Sequence, residues 1–372
     1  VIKKFLNRLT NYILRQRTLN RSQMLNSLAE EQIWYFGDEE VIQFPTPLSI
    51  DQEIPRQIKP YIYSHALNRP FVCEINNAEL IGCKAVGITQ EGLGILETTV
   101  GQIDILKQSQ LFQILKKKII PVDGTLNTVC SLINACNHNY FHWITECLTQ
   151  IEGIEFYYQQ TGIKPLLLIN KNHSPWQIES LNLMGYDSST YIQWDMSRAL
   201  VKRLIVPSVR RYQEKPPHDY ISPASIKWLQ QRILSHIIDS HDQNMYAKRI
   251  FISRRQASFR KILNEDEVIE SLSLMGFTAY ILESMSFSEQ VKLFFGAEIV
   301  VGPHGAGLTN VIFSRQAAVL ELFGSPDYIR PEYFQIASSL GLRYGFMICE
   351  FENKDLKVNI PKLCESIENL SS

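Results

Sequence analysis

Between residues 249 and 370, five short apolar runs alternate with helix-patterned segments, and this alternation limits the fold more than any other feature. Arg249–Ile252, Thr278–Leu282, Glu298–Val301, Ala318–Phe323 and Arg343–Cys349 read as strands. Asn264–Met275, Ser286–Phe295, Glu332–Leu340 and Pro361–Leu370 read as helices. Short continuous apolar runs mark strands buried on both faces, and strands alternating with helices require a parallel sheet. Gly276 stops the first helix, and Glu265, Asp266 and Glu267 suit the positive end of its dipole. Ser286 followed by Glu289 is a capping-box pattern. The order predicts a doubly wound α/β domain over residues 246–372.

The first half is less regular. Phe71–Ile75, Glu79–Ile88 and Gly94–Thr98 are β-rich runs separated by Asn-Asn and Glu-Gly, as in a meander or hairpins. Residues 102–118 fit no single pattern. Tyr140–Gln160 reads as a helix, Leu166–Ile169 as a buried strand, Gln177–Met184 as a helix ending at Gly185, and Tyr191–Gln193 and Arg203–Val206 as strands. This too is β/α alternation, so a parallel sheet is expected. Pro207–Pro223 holds four prolines and reads as a linker, followed by a helix over 224–238. The expected division is an N-terminal extension (1–60), an α/β domain (61–215), linker and helix (216–245), and the doubly wound domain (246–372).

Charge is uneven. Lys3, Lys4, Arg8, Arg15, Arg17 and Arg21 precede the first acid, Glu30, leaving 31 bases against 38 acids, or −7, in the remainder. Ile2, Phe5, Leu6, Leu9 and Ile13 recur at helical spacing there, which predicts a basic amphipathic helix. It would pack on the body or make peripheral contact with an anionic membrane face. A net charge of −1 argues against a nucleic-acid partner. No apolar run is long enough to span a bilayer. Seven cysteines without C-x-x-C argue against a disulfide framework or zinc knuckle. With no signal-peptide pattern, free thiols in a reducing, cytoplasmic compartment are the expectation.

Several constellations can carry chemistry. Gly302-Pro303-His304-Gly305-Ala306-Gly307-Leu308-Thr309-Asn310 follows a strand and opens a helix. Glycines let backbone N–H groups approach a phosphate, and a helix N-terminus favours negative charge. The string is neither G-x-G-x-x-G nor a P-loop; the plain alternative is a tight turn whose glycines only pack. Ser253-Arg254-Arg255, with Arg260-Lys261, follows the strand Arg249–Ile252 and would neutralise an anion at that edge. Glu321, at the end of strand Ala318–Phe323, next along from the glycine turn, can accept from ribose hydroxyls. His138, His142 and Glu146 repeat every four residues. Eight helical residues separate His138 from Glu146 by roughly 12 Å, too far to share a metal, so no metal site is expected. His142 and Glu146, one turn apart, suit an acid–base pair; structural polar residues at a domain seam are the alternative. No D-x-D occurs, so positive groups and the helix dipole would have to stabilise a leaving diphosphate.

Taken together, residues 137–146 (NHNYFHWITE), 252–265 (ISRRQASFRKILNE), 286–295 (SFSEQVKLFF), 302–310 (GPHGAGLTN) and 319–322 (VLEL) resemble the family-61 glycosyltransferases, in order and spacing from about residue 70 to 350. The family includes bacterial proteins of capsular polysaccharide synthesis. The resemblance implies a GT-B fold: two Rossmann-like halves facing across a cleft, donor on the C-terminal half and acceptor on the N-terminal half. It implies inverting, metal-independent transfer from a nucleotide sugar, with no cofactor. The expected donor is UDP-linked and the acceptor is a glycan or lipid-linked glycan, in cell-surface or extracellular polysaccharide synthesis. The expected place is a bacterial cytoplasm, at the inner face of the membrane.

By the same resemblance, Ser253, Arg254, Arg260, Gly302, His304, Gly305, Ala306, Gly307, Leu308, Thr309 and Asn310 hold the donor diphosphate, and Glu321 its ribose. Glu146 faces the acceptor as base, with His142 orienting or replacing it. His138, Asn139 and Trp143 belong to the acceptor side. Two other classes share parts of the pattern: an NAD(P)-dependent oxidoreductase, against which the glycine turn follows the third strand of its half rather than the first, and a non-catalytic nucleotide- or glycan-binding scaffold.

Overall fold

A computed structural model describes residues 18–50, 53–100, 121–134, 136–211, 219–237 and 246–371. They form two compact units. One holds the residues up to Glu39 together with Asn68–Tyr220; the other holds Glu40–Leu67 and the chain from Ile221 onward.

The second unit is built on five parallel strands in the order Thr278–Tyr280, Arg249–Ile252, Ile299–Pro303, Ala318–Phe323, Arg343–Ile348. Numbered along the chain this is 2-1-3-4-5. The direction of winding reverses between the first and third strands, and the loops leaving their carboxyl ends part there. Ile299–Pro303 and Ala318–Phe323 are buried along their whole length, which explains sequences that are apolar but for Glu321. Helix Phe287–Phe295 starts as its sequence requires: Ser286 Oγ accepts from the Glu289 N–H, and the Glu289 carboxylate accepts from the Ser286 N–H. Its Phe287, Val291 and Phe294 are buried, each stabilising the fold by about 1.5–3 kcal/mol. The third strand leads into the 3-10 helix Ala306–Phe313, whose Leu308, Val311, Ile312 and Phe313 fill the core. The second strand stops at Tyr280, two residues before its expected end, because Leu282–Ser284 turns into a short 3-10 segment.

The first unit carries a mixed sheet. Strands Arg198–Pro207, Gly124–Ser131, Leu166–Asn170 and Tyr191–Trp194 lie side by side and parallel. On the other side of Arg198–Pro207 runs the antiparallel Phe71–Ile81, followed by Val86–Ile88 and Gly94–Ile95. The parallel pairing expected from the β/α alternation is present, and the β-rich run expected as a meander or hairpins joins it in one mixed sheet. Asn76-Asn77, expected to be a turn, lies inside the eleven-residue strand Phe71–Ile81. Asn77 takes a left-handed φ of 54°, yet Val201 pairs Ala78 and Arg203 pairs Asn76 in unbroken register. Asparagine tolerates that conformation, so one residue kinks without ending the strand.

The two α/β units, with an N-terminal β-rich region, have the content of a two-domain, Rossmann-like GT-B-type fold. The basic helix expected over residues 1–17 and the ambiguous segment 102–118 lie outside the described residues. Arg21, grouped with the basic segment, is instead buried: its guanidinium pairs with Glu97 at 2.7 Å and donates to the Val209 carbonyl at 3.0 Å. All seven cysteines are free thiols. No helix among the described residues is long and apolar enough to cross a membrane.

Candidate functional site

In the second unit, two loops meet at the carboxyl edge of the sheet, at the point where the strand order reverses. One follows Arg249–Ile252 and carries Ser253, Arg254 and Arg260. The other is the turn His304-Gly305. A Cβ placed on Gly305 would sit 2.1 Å from Arg254 Nη1. Gly305 has extended backbone that any residue adopts, so glycine is required for space: only a bare Cα admits the guanidinium. Gly302 and Gly307 pack closely on Ile252 and Leu282.

Arg254 Nη2 donates to the Phe259 carbonyl at 3.1 Å. The buried Nε atoms of Arg254 and Arg260 have no acceptor among the described residues. Both guanidiniums lie over the Phe259 ring, at 6.0 and 5.0 Å from its centroid. Burial first, and the neighbouring Arg260 charge second, push Arg254 below the usual guanidinium range. Two like charges held together with open donors suit an anion. Arg260 has a left-handed φ of 58°, and its N–H donates to the Lys354 carbonyl at 2.9 Å. Arg255 points elsewhere and pairs with Asp266 and Glu265. Ser253 is buried; its N–H donates to the Tyr280 carbonyl, and its hydroxyl accepts from Arg255 N–H.

His304 Nδ1 is hydrogen-bonded to Glu321 Oε1, and Tyr344 donates to the other carboxylate oxygen at 2.6 Å. Glu321 is 0% exposed, so its carboxylate is occupied within the unit rather than presented to a ribose. Burial raises its pKa above the ordinary value despite both hydrogen bonds. The His304 ring stacks on Phe323 at 5.3 Å and lines a pocket of about 360 Å³ with Arg260, Tyr328, Phe351 and Lys354. Leu308, Thr309 and Asn310 are fully buried, and the Asn310 amide donates to Gln290 Oε1 and the Gly307 carbonyl. They fasten the turn to the core. Ala306 and Gly307 remain partly exposed behind it. Sequence reasoning missed Phe259, Tyr328, Phe351 and Lys354. Aromatics on loops form no motif; the only local signal was the Asn353-Lys354 pair at a hairpin tip.

In the first unit, Tyr140–Thr161 is one composite helix: an α turn, a π-helical stretch Trp143–Cys147, a 3-10 turn and α-helix Ile151–Thr161. Single π stretches recur at functional sites. Glu146 Oε1 accepts from His142 Nδ1 at 2.7 Å and from Arg211 Nη1 at 2.6 Å; Oε2 accepts from Asn134 Nδ2 at 3.2 Å. Burial pushes Glu146 up, but the His142 hydrogen bond and the Arg211 charge outweigh it and hold the carboxyl below its usual range. The Glu146 side chain is 1% exposed and that of His142 is 23% exposed. The expected pair is therefore adjacent, with the histidine as its outward member. Trp143 is buried, and its Nε1 donates to Ser180 Oγ at 2.9 Å. The Asn139 side chain caps the helix by accepting from Phe141 N–H. His138 is exposed. Among the described residues, no three His, Cys, Asp or Glu side chains gather as a metal-holding group.

An α/β unit with a cationic, glycine-lined edge at its switch point has the chemistry to receive an anionic ligand. Residues 140–320 match the family model described as Glycosyltransferase 61. The EGF domain-specific O-linked N-acetylglucosamine transferase of Gallus gallus is 32% identical over 102 residues, 26% of this chain and 19% of that protein. Its Xenopus laevis counterpart is 31% identical over 121 residues, 31% of this chain and 23% of that protein. The alpha-1,3-arabinosyltransferase XAT3 of Oryza sativa subsp. japonica is 32% identical over 128 residues, 32% of this chain and 22% of that protein. The chain thus spans about a fifth of the length of the curated relatives it matches.

Proposed function

We propose that this chain transfers a sugar from a nucleoside-diphosphate donor, UDP-linked, to a hydroxyl of a glycan acceptor, with inversion and without a divalent metal. The observation that carries this reading is the Arg254 guanidinium seated against Gly305, with open Nε donors on Arg254 and Arg260 beside it. The family match supports it, as do relatives named for transfer of N-acetylglucosamine and arabinose.

Arg254, Arg260, Lys354 and His304 offer positive charge and donors to a diphosphate. The pocket lined by Tyr328 and Phe351 offers aromatic surface to the nucleoside. Glu321 acts through His304, fixing which ring nitrogen carries the proton, rather than through the ribose. His142 is the base and Glu146 its orienting carboxylate, because Glu146 is enclosed with both oxygens engaged. The acceptor O–H proton passes to the His142 imidazole, and the acceptor oxygen bonds to the anomeric carbon from the face opposite the leaving group. The bond from that carbon to the diphosphate oxygen breaks, and its electron pair departs on the diphosphate, where the cations stabilise it.

The test is turnover of a UDP-sugar panel that includes UDP-N-acetylglucosamine and UDP-arabinose. His142→Ala should lower turnover by about 10²–10⁴-fold with UDP affinity unchanged. Undiminished turnover in that variant would remove His142 from the chemistry.

A further inference from the structure

We propose that the first unit carries a sugar-ring subsite at the carboxyl edge of strand Leu166–Asn170, formed by Asn137, His173 and the ring pair Tyr140–Trp176. It rests on the glycosyl-transfer reading above and gives that reading's acceptor a chemical class, a glycan recognised through neutral hydroxyls.

Asn137 is fully buried and firmly held. Its Oδ1 accepts from Asn170 Nδ2 at 2.8 Å, and its carbonyl accepts from Gln177 Nε2 at 3.0 Å. Its own Nδ2 has no acceptor among the described residues. An unpaired buried amide N–H costs about 1–3 kcal/mol, so a pinned residue that keeps one is suited to a group arriving from outside. His173 supplies a second open group. Gln193 Nε2 faces His173 Nε2 at 3.2 Å. An amide nitrogen only donates, so that ring nitrogen accepts and the proton sits on Nδ1. Nδ1 is buried and has no partner among the described residues. Both open groups are N–H donors, which fit hydroxyl or ring oxygens.

The third element is aromatic. Tyr140 and Trp176 are half-buried and meet edge to face with centroids 5.1 Å apart, with the buried Trp143 6.4 Å behind Trp176. A pyranose ring has apolar C–H faces and a polar hydroxyl rim. An indole and two N–H donors at the same strand edge match both. The position also fits, since parallel α/β sheets bind ligands beyond their strands' carboxyl ends. Asn137 and Tyr140 lie on the same segment as His142. The acceptor side thereby moves from Asn139 and Trp143, whose side chains cap a helix and fill the core, to the residues around them.

The experiment applies the full chain to an immobilised array of oligosaccharides and, in parallel, measures UDP affinity by calorimetry. Wild type should bind a defined set of glycans. Asn137→Asp keeps the acceptor toward Asn170 and replaces the donor with a carboxylate oxygen; His173→Ala removes a partly exposed side chain; Trp176→Ala removes the platform. Each should weaken glycan binding at least about tenfold and leave UDP affinity unchanged, which also reports that the variant is folded. No glycan bound by wild type, or glycan binding untouched in all three variants, overturns the subsite. Glycan binding lost as expected in the variants, with no UDP bound by wild type, supports the subsite and removes the donor reading instead.

Discussion

Glu146 and Glu321 are both buried carboxylates hydrogen-bonded to the Nδ1 of a histidine, and burial pushes each toward its neutral form. They end on opposite sides of the ordinary value because of their other neighbours. Glu146 also receives Arg211, and Glu321 receives the neutral hydroxyl of Tyr344. The folded-state pKa of Glu146 lies below its ordinary 4.5, so its stabilisation is present above that pH and is lost as pH falls through the folded value. Glu321, with a raised folded-state pKa, works in reverse: its stabilisation belongs to acid pH and is lost as pH rises through the folded value. Glu146→Gln should cost about 1–3 kcal/mol near pH 7, and the deficit should shrink at about pH 3. Urea unfolding at both pH values measures this; a deficit equal at both would mean that the charge on Glu146 contributes nothing. The four-residue spacing of His142 and Glu146 was legible in the sequence. Which of them faces outward was not, because Asn134 and Arg211, which enclose the carboxylate, lie outside the motif.

Elements whose signal is local were legible. The capping box of Phe287–Phe295, the acidic first turn of Glu265–Leu274 and the buried apolar strands of the second sheet depend on neighbours in sequence. Strand Gly124–Ser131 was missed, since its Thr125, Asn127 and Thr128 break the apolar pattern and its pairing with Arg198–Pro207 is remote. The hairpin Glu350–Lys357 was hidden for the same reason. It clamps the cationic loop: Lys261 N–H donates to Asp355 Oδ1 at 2.9 Å, Leu356 N–H donates to the Lys261 carbonyl at 2.8 Å, and Arg260 N–H donates to the Lys354 carbonyl at 2.9 Å. Asp355→Ala should free Arg260 and weaken UDP binding about 2–10-fold, whereas Asp355→Asn, which keeps an acceptor, should retain most of it. Calorimetry on the two variants decides; equal losses would separate the hairpin from the donor site.

At the scale of the whole chain, the second unit is assembled from two separated stretches. Residues 40–67 return to it by backbone pairing that no pattern within them announces: Leu48 N–H donates to the Tyr344 carbonyl at 2.9 Å, and Phe346 N–H donates to the Leu48 carbonyl at 3.0 Å. Glu40 accepts from Ala224 N–H at 2.7 Å, capping helix Pro223–Ile237. By contrast, the doubly wound order of the second unit followed from sequence, because helices joining parallel strands leave few topologies. A 2-1-3-4-5 sheet opens where Arg254 and Gly305 stand, the edge proposed for the donor. The most direct measurement is calorimetric titration of UDP, in EDTA, into wild type, Arg254→Ala and Gly305→Ala, each checked for unchanged melting. Binding by wild type that falls about 10–100-fold in both variants is expected, since one loses the guanidinium and the other displaces it. Equal UDP affinity in all three proteins would contradict a donor diphosphate held by Arg254 against Gly305.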